Sequence, residues 1–108
     1  MTPAAFRKLA LSFPGAVEAP HFDRTSFRVG KKIFATMTQD GKQGMVPVKP
    51  LERCMGLIAE HPKMFFSYGG WTEKLGSLGV SIKEAKPDWV KALMAEAHAR
   101  IAPKAKKK

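Results

Sequence analysis

Acidic residues and cysteine are what this chain has least of. Nine Asp and Glu stand against nineteen Lys and Arg in 108 residues, a formal charge of +10. That imbalance says little about fold, but it selects partners, because phosphate backbones and anionic surfaces are attracted to it. Four of the bases, Lys104, Lys106, Lys107 and Lys108, form a C-terminal tail, and without them fifteen bases still face nine acids. The tail, residues 104–108, reads as a disordered, solvated segment that raises nonspecific affinity for nucleic acid. A single cysteine, Cys54, excludes an internal disulfide and a cysteine-rich zinc site, so a reducing cytoplasm is the expected setting. No apolar run nears the roughly 20 residues that span a bilayer, and the N-terminus lacks a signal-peptide pattern, so no membrane partner is expected. The length suits one domain over residues 1–103, with a core that needs no staple.

Catalytic signatures are also scarce. Ser26 has no glycine-flanked elbow, and Gly69-Gly70 lacks the lysine and helix start of a phosphate-cradling loop. Cys54 lies on an apolar helical stripe, where a buried small hydrophobe is the expected role. Glu18, His21 and Asp23 are residue types that bind metals and carry protons. Their spacing matches no strong metal motif, and His61 and His98 have no evident route to the same site. A structural, hydrogen-bonding role is expected for His21, with no catalytic residue, metal or cofactor.

What is present is a clear sequence of elements. Thr2 can cap a helix with Pro3 in its first position, and Phe6, Leu9, Ala10 and Phe13 form one apolar stripe. Phe13-Pro14-Gly15 ends that helix. A short acidic, histidine-bearing loop is expected to follow. Thr25 to Val29 alternates, with Phe27 and Val29 on one face and Ser26 and Arg28 on the other. Gly30-Lys31 supplies a tight turn, and Ile33 to Thr38 is the return strand. After the Asp40-Gly41 turn, Gly44 to Lys49 reads as a third strand, with Pro47 arguing for an edge position or a bulge. Pro50 opens a helix carrying Leu51, Cys54, Met55 and Ile58 on one stripe, ending near His61-Pro62. Met64 to Phe66 and Trp71 to Leu75 are candidate strands around Tyr68-Gly69-Gly70, and Gly76 to Ser81 is expected to be a loop with at most a short strand at its end. From Pro87, the residues Val90, Leu93, Met94, Ala97 and Ile101 give the strongest helical pattern, ended by Pro103. This order predicts an α+β fold, a largely antiparallel sheet with helices on one face and the other face open to a partner.

These landmarks together resemble the MmcQ/YjbR family of small bacterial proteins. The resemblance rests on the Phe13-Pro14-Gly15 turn, Glu18, His21-Phe22, Ser26-Phe27-Arg28-Val29, Gly30-Lys31 and Phe34-Ala35-Thr36. Lys49 and Glu52, the Gly69-Gly70-Trp71 turn and the closing helix extend it over nearly the whole chain. It implies a fold similar to the frataxin-like CyaY arrangement and, since family members are described as DNA-binding, a DNA-binding role. After Trp71 the sequence departs from the family pattern, with the polar, glycine-bearing Thr72 to Ser77 where relatives carry an apolar strand.

The constellation that could carry such a role is Arg28, Lys31, Lys32 and Lys49. If Phe27, Val29, Val46 and Val48 face the helices, Arg28 and Lys49 project from the opposite face and the hairpin adds Lys31 and Lys32. Such cations could straddle the phosphates of double-stranded DNA, with Ser26, Thr36 and Thr38 as donors. Trp71, after its Gly-Gly turn, could offer its ring to a base or partner or pack into the core. Most other aromatics, Phe6, Phe13, Phe27 and Trp89 among them, are expected in the core. The reading is of a non-enzymatic DNA-binding protein without base-specific readout, since no recognition helix is identifiable. The alternative is an adaptor on the same face, with Trp71 and Arg28 gripping a small organic anion or a peptide.

Overall fold

A computed structural model gives the fold, described over residues 1–21, 23–67 and 76–101. The elements are α1 (Pro3–Leu11), β1 (Val17–His21), β2 (Arg24–Val29), β3 (Lys32–Thr38), β4 (Gln43–Pro47), α2 (Leu51–Glu60), β5 (Phe65–Ser67), β6 (Ser77–Ser81) and α3 (Pro87–Ile101). The strands form one sheet in the order β1-β2-β3-β4-β6-β5 with every neighbouring pair antiparallel. Helix α2 is the crossover that carries the chain past one strand position, which β6 then fills. The three described helices close one side of the sheet around a single core, so the expected α+β architecture is the one observed.

Local chemistry explains the element boundaries. The Thr2 hydroxyl accepts from the Ala5 N–H and caps α1, with Pro3 at its first position, where a missing donor costs nothing. In α3, Val90, Leu93, Met94 and Ala97 are buried, the stripe expected from their spacing, and α3 packs on β3 and β4. Phe27, Val29, Val46 and Val48 all belong to the core, as their parity requires. The alternation breaks at one place. Phe27 pairs with Ala35 but Arg28 pairs with Ile33, so Phe34 is the extra residue of a bulge in β3. Phe34 and Ala35 are therefore consecutive and both buried. The bulge sends Phe34 toward the helices, where Phe13 meets it edge-on at 5.8 Å between ring centroids.

Several expectations are corrected. Val17 to His21, read as a loop, is the edge strand β1, paired along its whole length with β2. The segment Gly76 to Ser81, expected to be a loop with a short strand only at its end, is β6 from Ser77 onward, and this strand lies inside the sheet between β4 and β5. Its glycine has a packing reason: a Cβ at Gly79 would come within 2.5 Å of the Phe66 ring on the facing strand. Leu78, Val80 and Ile82 alternate into the core. Pro47 is neither at an edge nor in a bulge; it ends the interior strand β4. The next amide, Val48, donates to Gly76 on the β6 side, so the proline nitrogen points toward β3, whose paired register with β4 has already ended at Met45. The third strand is accordingly Gln43–Pro47 rather than Gly44 to Lys49. Trp89, expected in the core, is 37% exposed and lies against His61, with ring centroids 4.5 Å apart. Cys54 is buried, as expected. The candidate strand Trp71 to Leu75, the Tyr68-Gly69-Gly70 turn and the tail at 104–108 lie outside the described residues. Among the described residues no helix is long and apolar enough to cross a membrane.

The junction of β4 and β6 sets a sharp backbone requirement. Gly76 has φ +75°, and a Cβ there would sit 2.4 Å from the Val48 carbonyl oxygen. Gly56, inside α2, has nothing within 4 Å of the same construction. Gly76→Ala is expected to destabilise the fold by about 2 kcal/mol or more, through both strain and collision. Gly56→Ala should stabilise by about 0.5–1 kcal/mol through helix propensity. Urea unfolding of the two variants checks both signs.

Candidate nucleic-acid interface

The side of the sheet away from the described helices is built by the alternate residues of each strand. On β2 these are Arg24, Ser26 and Arg28; opposite Ser26 stands Thr36 of β3, and Met45 of β4 follows next to it. Ser26 and Thr36 are only 0% and 2% exposed, although no described helix covers them. The two arginines do. Arg28 Nε donates to Ser26 Oγ at 2.7 Å, and its Nη2 donates to the Pro20 carbonyl at 3.1 Å. Ser26 Oγ in turn donates to the Ala19 carbonyl at 2.8 Å. Arg24 Nη1 donates to Thr36 Oγ1 at 3.3 Å. The guanidinium groups thus lie along the strands, half-buried, with their charge held in a fixed direction.

This arrangement changes the part expected of the hydroxyls. Ser26 and Thr36 lie beneath the arginines on this face, and Thr38 Oγ1 donates to Asp40 Oδ1 at 2.6 Å. All three work inside the protein, as supports for neighbouring groups. Arg24, missing from the sequence-based constellation, belongs on this face; its even parity with Ser26 and Arg28 was the available signal, obscured by starting the strand at Thr25.

Lys31 and Lys32 are exposed at the turn between β2 and β3. Lys49 is exposed two residues beyond β4, before a cis peptide bond to Pro50. Because β4 runs antiparallel to β3, the chain leaving β4 heads toward the end of the sheet where β3 begins. The structure therefore brings Lys49 to the same end as Lys31 and Lys32, with Arg28 beside them on the sheet. Trp71 lies outside the described residues.

The histidine-bearing segment is divided among separate tasks. Glu18 accepts from Arg7 Nε at 2.5 Å and ties β1 to α1. His21 occupies the register position opposite Arg24, and Asp23 is exposed in the turn after it. His98 Nε2 donates to the Pro14 carbonyl at 2.7 Å and its ring stacks on Phe13. Among the described residues no three of His, Cys, Asp and Glu lie together in a way that could hold a metal ion.

The family model described as YjbR matches residues 11–108 of the chain. Among solved structures, the chain resembles Deinococcus radiodurans protein DR2400, a DUF419 domain, with a TM-score of 0.75 at 19% identity, covering 95% of this chain and 80% of that one. At that identity the likeness concerns the fold alone. No curated protein matches the chain.

Asp40, the acid between Arg24 and Leu51, is occupied by its own turn. The Thr38 hydroxyl, first, and the Lys42 backbone N–H, second, hold its carboxyl below the usual aspartate range. A depressed folded-state value contributes stability above the unfolded value and loses it as pH falls through the folded one. An NMR titration should find Asp40 ionising below ordinary aspartates, and Thr38→Val should move it back up; an unchanged midpoint in the variant would contradict the assignment.

Proposed function

The chain belongs to the YjbR family, and on that footing we propose that it is a non-enzymatic protein that binds duplex DNA through phosphates, using the open side of β2–β4 and the β2–β3 hairpin tip. The observation that supports this reading is the segregation of charge. Between Arg24 and Leu51 stand six bases, Arg24, Arg28, Lys31, Lys32, Lys42 and Lys49, with Asp40 as the single acid. Two bases and two acids precede that segment, and seven bases alternate with six acids from Glu52 to Pro103. Outside the tail, nearly the whole excess charge therefore belongs to three adjacent strands and their turns.

The two kinds of cation would work differently. Arg28 and Arg24 are oriented by Ser26, Pro20 and Thr36, so little rotamer entropy is lost when a phosphate meets them. Lys31, Lys32 and Lys49 are exposed and flexible, and act as point charges that displace condensed counterions. Neither kind reads bases, and affinity is expected to be nearly independent of DNA sequence.

Duplex binding measured across salt concentrations tests this. Each lysine–phosphate contact removed should flatten the slope of log affinity against log salt by about 0.9, so Lys31→Ala/Lys32→Ala/Lys49→Ala should lower it by roughly 2–3. Replacing the four tail lysines by alanine should weaken binding and leave a substantial slope. If only the tail variant changes the slope, the sheet-face reading fails.

A further inference from the structure

At the end of the sheet remote from the Gly30-Lys31 turn, a groove of about 440 Å³ opens between α1, β1, β2 and the turn after β3. Arg7, Glu18, Arg24, Thr25 and Gln39 are among its lining residues. We propose that this groove binds a small organic phosphate monoester, with Arg7 as the anion-gripping residue and Glu18 as an internal anion that the ligand displaces.

The volume falls in the range of small-molecule sites, and the lining mixes polar and apolar groups, with the Arg7 guanidinium, the Thr25 hydroxyl and the Gln39 amide supplied by three different elements. Arg7 engages Glu18 through Nε alone at 2.5 Å, a side-on contact that leaves the Nη edge of the guanidinium toward solvent, its side chain being 56% exposed. That edge is the half of the fork that grips a phosphate in bidentate fashion. The ion pair shows that a carboxylate oxygen fits against this guanidinium, the position a phosphate oxygen would take. A phosphate monoester carries about −1.5 to −2 charges at neutral pH, and so competes with the single charge of a carboxylate for the same guanidinium. Thr25 and Gln39 then face the organic body with groups that donate and accept hydrogen bonds.

The groove borders the proposed DNA-contacting face at Arg24, but its anion grip is Arg7, so its failure would leave that reading intact. Titration of the ¹⁵N-labelled full chain with AMP, and with adenosine as the unphosphorylated control, tests the proposal. The expected result is saturable shifts at Ala19, Thr25 and the Gln39 side-chain amide with AMP and none with adenosine. Arg7→Gln and Glu18→Gln break the same ion pair, so a purely structural role would move both variants in one direction. The proposal instead requires opposite changes. Arg7→Gln should weaken AMP about fivefold or more, and Glu18→Gln should tighten it by a similar factor, the scale of one solvent-exposed unit-charge interaction. Shifts that do not saturate, that centre on Lys31, Lys32 and Lys49, or that respond alike to the two substitutions would overturn it, as would equal binding of adenosine.

Discussion

Strand parity governs this molecule: on β2, every second residue belongs to the core and the others to the open side. Phe27 and Val29 are committed to the core, which leaves Arg24, Ser26 and Arg28 no choice but the other face. The Arg28–Ser26–Ala19 chain of hydrogen bonds then resolves a problem that parity creates. A hydroxyl buried without a helix above it needs partners, and the arginine side chain supplies both the partner and the cover, its aliphatic stem lying over the strand. Among the described residues, the bulge at Phe34 is the one departure from parity, and it serves the core by turning two successive residues of β3 into it.

Fixing the arginines has an energetic and a functional side. Hydrogen bonds from a charged guanidinium contribute most where the partner is buried; the Arg28 bond to Ser26 is of that kind, while its exposed bond to the Pro20 carbonyl links β2 to β1 and adds less. The surface ion pairs contribute less. Arg7–Glu18 and Arg53–Glu96 are substantially solvent-accessible, and exposed pairs are worth roughly 0–1 kcal/mol. They orient α1 against β1 and α2 against α3 more than they stabilise the fold.

The residues differ in how plainly they announce these roles. Helices α1 and α3 and the β2–β3 hairpin were legible because each carries a full period of apolar residues together with its own cap or turn. Strand β1 was not, since Val17 to His21 offers one large aliphatic residue and a proline, and its identity comes from pairing with β2. Strand β6 was hidden for a similar reason: Ser77, Gly79 and Ser81 resemble a loop until Phe66 on the facing strand shows why position 79 must be small. Trp89 sits just beside the buried stripe of α3, and helical spacing alone does not say which flank of a stripe a neighbouring layer covers. For the surface, parity identified Arg28 and composition identified the lysines. The covering of Ser26 and Thr36 by the two arginines depended on side-chain geometry that no pattern of residue types encodes.

The central claim is that the excess charge of β2 to β4 forms the contact surface for DNA. The most direct test is amide chemical-shift mapping of the full chain against a short duplex at low salt. The account expects the largest changes along Arg28 to Lys32 and around Lys49, independent of the duplex sequence. Changes confined to the helices, or to the lysines of residues 104–108, would contradict it.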